Sequence, residues 1–192
     1  MQAQDVLDFW FGPQDSAVYG SQRPEWFGKD PAFDAEIRAR FEPLIERAVN
    51  GGLRDWDALG PRGKLARILV LDQFTRNAWR DTAAAFQGDV LAIGAAQQLV
   101  ASGEDMQLVP AERMFAYMPY EHTEDAAMQE KSVRLFEALA REHPGFDLVL
   151  DYAHRHRGVI ARFGRFPHRN PILGRTSTEE ELAYMSLPGS GF

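Results

Sequence analysis

The sequence predicts an all-α chain folded as a single domain over residues 1–192. Three observations carry that prediction. Apolar residues recur at steps of three and four through successive stretches, and no strand-like alternation of useful length occurs. Proline and glycine fall between those stretches, where helices start and stop. The length suits one domain, and 45% hydrophobic residues supply ample core. Short loops between helices predict sequential neighbours packed antiparallel. No clean internal repeat is visible, so a stack of helical hairpins is compatible with the letters but its repeat count is not readable.

The elements follow in order. Asp5 to Phe11 reads as a short aromatic-rich helix stopped by Gly12-Pro13. The segment to Lys29 is irregular, with Trp26 and Phe27 pinning it to the body. Asp30-Pro31 supplies an N-cap and first helical residue. Phe33, Ile37, Phe41, Leu44 and Ala48 then mark one face, ended by Gly51-Gly52. After the connector Leu53 to Trp56, Pro61 opens a helix to about Arg80. Thr82 is expected to cap an alanine-rich helix with Phe86, Val90, Ile93 and Val100 on one side, ended by Gly103. Pro110 starts a short helix, Ala111 to Met118, expected to stop at Pro119. Thr123 is expected to begin the next, which runs through Met128, Leu135 and Leu139 to Pro144, with Glu124 and Asp125 suiting the helix dipole. Phe146 to Phe163 is a further helix. Thr178, followed by Glu179, Glu180 and Glu181, opens a last one with Leu182 and Met185 on one face, and Leu187 to Phe192 is a tail.

The formal net charge of −7 argues against general binding to nucleic acid or an anionic membrane surface. Without cysteine there is no disulfide, thiolate metal site or cysteine nucleophile, which fits a reducing cytoplasm. The start Met1-Gln2-Ala3-Gln4-Asp5 lacks the basic and apolar regions of a signal peptide. The longest nearly apolar run, Val90 to Ala96, falls short of the about 18 residues a membrane span needs. The expectation is a cytoplasmic protein with no membrane or nucleic-acid partner.

Against that acidic background one stretch stands out. Arg162 to Arg175 holds Arg162, Arg165, Arg169, Arg175 and His168 with no acid, mixed with Phe163, Phe166, Ile172 and Leu173. Cations among large apolar groups need carboxylates nearby or an anion to bind. The helix Pro61 to Arg80 is apolar nearly all round, yet Asp72 and Arg76 lie in the middle of its apolar side, four residues apart and able to pair. Gln73, Asn77 and Arg80 form a second polar line. His156 and Arg157 lie on or beside the apolar face of Phe146 to Phe163, while His154 falls further round. Glu121, His122, Glu124 and Asp125 cluster at a helix start. A metal site is not expected: His154 and His156 splay apart on a helix, and one histidine with local acids is a weak ligand set. The bland alternative for all these groups is a buried structural network.

On these residues the chain resembles the bacterial family catalogued as domain of unknown function 924. The resemblance spans nearly the whole length. It includes Val6 to Gly12, Leu71-Asp72-Gln73-Phe74 with Arg76-Asn77 and Arg80, and Tyr117-Met118-Pro119 with His122 and Glu124. It closes with His156, Arg162 to Asn170, and Leu173-Gly174-Arg175. Thr75 stands where the family often has proline, Thr123 where serine is common, and Glu121 where an uncharged residue is usual. The resemblance implies a tetratricopeptide-like, right-handed array of antiparallel helix pairs; it supplies no function.

The leading expectation is a pocket for a small anionic or polar molecule, of phosphate or carboxylate type, lined by Asp72, Gln73, Arg76, Asn77, Arg80, Arg162, Arg165, His168, Arg169 and Asn170. An enzyme using the same pocket would take His122 or His156 as acid or base, with Glu124 as a carboxylate candidate. A protein-interaction scaffold is the third reading. No cofactor is expected; no nucleophile elbow, phosphate-cradling glycine loop or His-Glu-x-x-His helix is present.

Overall fold

The structure, a computed structural model, describes residues 1–191, so the final residue of the expected tail, Phe192, lies outside it. The described residues form helices joined by turns, with no strand among them. The helix α1 (Ala3–Phe11) drives Trp10 and Phe11 into the core, where Trp10 stacks on Trp26 and the contacts with Phe33, Phe74 and Phe115 are edge-on or tilted. Asp30 caps α2 (Pro31–Val49), accepting hydrogen bonds from the amides of Ala32 and Phe33.

The middle helix occurs where it is expected, with one irregularity. The helix α3 (Pro61–Leu69) passes into a π-helical turn, Val70–Phe74, and continues as α4 (Thr75–Ala78). Every residue from Leu65 to Thr75 is buried, as an all-round apolar helix requires. Gly63 lets α3 close onto the turn Arg54–Leu59; a Cβ there would stand 2.0 Å from the Trp56 carbonyl oxygen.

Five expectations are corrected. Thr82 does not cap the alanine-rich helix; it donates to the Trp79 carbonyl and precedes a 3-10 turn, Ala83–Phe86. The helix proper, α5 (Asp89–Ala101), starts at Gly88 and buries Ala92, Ala95, Ala96 and Leu99, while Val90 faces solvent. Pro119 does not end its helix: α6 (Pro110–His122) runs on, because Ala111 to Glu121 are all buried and packing outweighs the hydrogen bond that proline forfeits. The cap of α7 (Ala126–Glu142) is Asp125, accepting from Met128 N, with Thr123 closing α6 instead. Beyond α8 (Asp147–Phe163), α9 (Glu179–Met185) carries the expected Thr178 capping box, but it buries Glu181 and exposes Leu182, since Arg165 and Asn170 draw that carboxylate inward.

The helix α6 packs against α3, α5, α7 and α8 and so sits at the centre. The arginine-rich stretch folds back over the end of α6. Among the described residues no helix is long and apolar enough to cross a membrane.

Candidate functional site

The site begins at the π turn. Widening the helix by one residue frees main-chain carbonyls, and Thr75 Oγ1 takes up those of Leu71 (2.9 Å) and Asp72 (3.2 Å). Such turns are uncommon and recur at functional positions. Asp72, fully buried, projects from this turn. Its carboxylate accepts from Gln73 Nε2 at 2.5 Å, lies 2.9 Å from Arg76 Nη1, and stands 2.7 Å from His122 Nδ1 at the end of α6. Burial works to raise its pKa, but Arg76 and His122 outweigh burial and hold it below the usual carboxylate range.

Arg76 then bridges to α5. Its two terminal nitrogens meet both carboxylate oxygens of Asp89, at 2.8 and 3.1 Å, and Nη1 also donates to the Asp72 carbonyl at 2.8 Å. Arg169 approaches the same Asp89 from the arginine-rich loop, but its Nη1 is 3.5 Å from Oδ2. The guanidinium lies over the rings of Phe86 and Phe166, 4.7 and 4.5 Å from their centroids. Only 7% of Arg169 is exposed, yet it makes no hydrogen bond to a described residue, and its Nε is buried without an acceptor. Burial, and after it the Arg76 charge, push its pKa down to about 10.

Three histidines belong to the same cluster, His156 and His168 within reach of the Arg169 charge and His122 beside Asp72. Burial and Arg76 lower the pKa of His122 against the opposing pull of Asp72. His156 Nδ1 lies 2.8 Å from the Tyr152 carbonyl oxygen and 3.1 Å from Glu121 Oε1. Burial, then the neighbouring His122, take its pKa down to about 3, while burial and the Asp72 charge lift Glu121 to about 8. At neutral pH both are therefore uncharged, and the His156 Nδ1–H donates to the carbonyl. His168 is lowered to about 4 by burial and then by Arg169. The rings form a run: His122 to His156 at 6.3 Å, His156 to Phe166 at 5.5 Å, Phe166 to His168 at 5.7 Å.

Two groups fasten the walls. Glu124 accepts from Phe166 N at 2.8 Å and from Arg175 at 2.6 and 2.9 Å, fixing the loop to the corner after α6. Gln129 of α7 donates from Nε2 to the carbonyls of Glu121 (2.6 Å) and Thr123 (2.8 Å), closing the end of α6 that carries His122.

The family model described as bacterial protein of unknown function, DUF924, matches residues 6–189. The chain belongs to this family. It is also similar to a solved structure of a protein of unknown function, ATU0120, from Agrobacterium tumefaciens. The two are 37% identical, each is covered over 96% of its length, and the TM-score is 0.81. No curated protein matches the chain.

In this DUF924 chain the expected residues separate into three groups. Asp72, Gln73, Arg76, His122, His156, His168 and Arg169 converge, drawn from the π turn, α4, α6, α8 and the loop. Asn77 and Arg80 do not join them; both bind Asp34 of α2, at 2.7 to 2.9 Å. Arg165 and Asn170 bind Glu181, and Arg162 pairs with Glu180 at the exposed surface, so these three tie the loop to α9. Glu124 anchors the loop. Asp89, which the sequence reading passed over, and Phe86, which it placed only on an apolar helix face, are central. The available signal was an acid just after Gly88 on the helix that follows the arginine-bearing one. Among the described residues no group of three or more histidines and acids could hold a metal ion.

Proposed function

We propose that this site binds a small molecule through an oxyanion, of carboxylate or phosphate type, with Arg169 as the donor and His122 and His168 at its sides. The observation that carries the reading is the state of Arg169. Its neighbours Arg76, Arg165 and Arg175 each make several hydrogen bonds, whereas Arg169 is buried with none to the described residues. Burying a guanidinium in that way costs free energy that a purely structural role would not repay. An oxyanion meeting its fork would recover it. The neutral histidines around it bring no competing positive charge at neutral pH. The net charge of −7 favours a small ligand over nucleic acid, and the lack of cysteine suits a reducing cytoplasm.

The test is thermal unfolding of the protein and of Arg169→Met with sulfate, phosphate and succinate. The variant keeps the length of the side chain and removes its charge. It should unfold within about 1 kcal/mol of the parent, or higher, because an unsatisfied buried charge is gone, and it should lose the anion-induced shift. A large drop in stability with the anion response intact would mean that Arg169 is a structural brace.

A further inference from the structure

We infer that Asp72 and His122 form a proton-transfer dyad, and that the site hydrolyses a carboxylic ester whose acyl half carries a second, free carboxylate. The inference rests on the oxyanion site proposed above, because Arg169 is the group that would hold the free carboxylate.

The dyad stands on geometry. Asp72 is held by Gln73 at 2.5 Å and Arg76 at 2.9 Å, so its carboxylate cannot turn, and it accepts the Nδ1–H of His122 at 2.7 Å. That bond fixes both the tautomer and the plane of the imidazole, leaving the lone pair on Nε2. Nε2 makes no hydrogen bond to a described residue, and the His122 side chain is 16% exposed, at the rim rather than sealed inside. A histidine kept for structure alone would spend both nitrogens. The π turn places Asp72 at this point in a helix that is otherwise regular, a deviation of the kind retained at functional positions.

The substrate class follows from charge. Three guanidiniums, Arg76, Arg169 and Arg175, stand against three carboxylates, Asp72, Asp89 and Glu124. The three carboxylates already balance the three guanidiniums, so a planar, singly charged carboxylate on the Arg169 fork suits the cluster better than a phosphate dianion. With that carboxylate on Arg169, a short acyl chain carries the ester carbonyl toward His122. The chain has no cysteine, and no described serine or threonine hydroxyl bonds to His122, so water is the nucleophile the dyad would activate.

In the hydrolysis, Nε2 takes a proton from water as its oxygen bonds to the ester carbonyl carbon. Asp72 stays ionised and stabilises the imidazolium. The Arg76 cation beside Asp72 favours the tetrahedral oxyanion, while Arg169 keeps the free carboxylate. Its collapse breaks the acyl C–O bond, and the proton on Nε2 passes to the departing alkoxide, giving a dicarboxylate and an alcohol. His122 faces Asp72 and Arg76 from the middle helix and Asp89 from α5. His156 of α8, His168 and Arg169 of the loop, and Glu121 of its own helix complete the charged and titratable surroundings.

The experiment compares mono-p-nitrophenyl succinate with p-nitrophenyl acetate, using the full chain and its His122→Asn and Arg169→Met variants. Hydrolysis of the anionic ester is expected to exceed that of the neutral one at least about 100-fold in kcat/KM. His122→Asn should lower kcat by about 100-fold or more while succinate still raises its unfolding temperature. The rate should hold through about pH 6.5, where a free imidazole protonates, and fall only below it, because burial and Arg76 lower the His122 pKa. If succinate binds in an Arg169-dependent way but the parent cleaves the anionic ester no faster than His122→Asn, the dyad is not catalytic and the inference is overturned. If succinate produces no Arg169-dependent shift, the oxyanion reading itself fails, and this inference with it.

Discussion

Gly88 packs so closely on Leu71 that a Cβ at position 88 would stand 2.0 Å from the Leu71 carbonyl oxygen and 2.8 Å from its carbonyl carbon. The contact joins the π turn that carries Asp72 to the start of α5, which carries Asp89. No side chain fits there, and the obstacle is main chain that cannot swing away. Gly88→Ala is expected to cost about 3 kcal/mol, at the upper end of overpacking effects. It should also reduce the sulfate-induced shift, since Asp89 moves relative to Arg76 and Arg169. Urea unfolding measures the first effect and thermal unfolding with sulfate the second.

Glu121 and the buried histidines set opposite pH slopes. In the folded protein His156 and His168 stay neutral down to about 3 and about 4, while in the unfolded chain they protonate near 6.5. The unfolded state therefore binds more protons below 6.5, and stability rises with pH through that window. Glu121 keeps its proton up to about 8 when folded and loses it near 4.5 when unfolded, so stability falls as pH rises between those values. The histidines prevail below 6.5 and Glu121 above it. Stability should peak near 6.5 and fall by about 2 kcal/mol by pH 8, at 1.4 kcal/mol per unit for one proton. Glu121→Gln should flatten the decline above 6.5. A decline that persists in that variant would contradict the assignment.

Gln129 donates to two carbonyls at the end of α6, those of Glu121 and Thr123. Gln129→Ala removes that donor and should cost about 2 kcal/mol. Because His122 ends that helix, the His122 imidazole resonances should shift in NMR spectra. Unchanged resonances would mean that the helix end is held by other contacts.

Asp34 offers a contrasting case. It binds Asn77 and Arg80, the polar groups at the end of the middle helix that do not join Asp72 and Arg76. Asp34→Asn should cost about 1 kcal/mol in urea unfolding and leave the sulfate-induced shift unchanged. A lost shift would place Arg80 among the ligand-binding groups.

Much of this was legible in the letters because the physics involved is local. The Asp30, Pro61 and Thr178 helix starts follow from capping chemistry, and the Asp72–Arg76 pair follows from i, i+4 spacing. What failed was decided by packing. Pro119 reads as a stop, but a wholly buried helix overrides it; Val90 reads as core, but a late start at Gly88 turns it outward. At the site, the anomaly of arginines without acids was visible, yet spacing could not say which carboxylate each would find. Arg80 went to Asp34, Arg165 to Glu181 and Arg175 to Glu124, and only the tertiary arrangement leaves Arg169 with no more than a 3.5 Å approach to the Asp89 that Arg76 already holds. The π turn has no sequence signature at all, since its residues are the same apolar and amide types a regular helix would use.

The most direct test of Arg169 as an open oxyanion donor is a crystal structure grown in malonate. The account predicts a malonate carboxylate within hydrogen-bond distance of the Arg169 terminal nitrogens, with the molecule extending toward His122. Arg169 hydrogen-bonded to Asp89, with malonate bound only elsewhere, would contradict it.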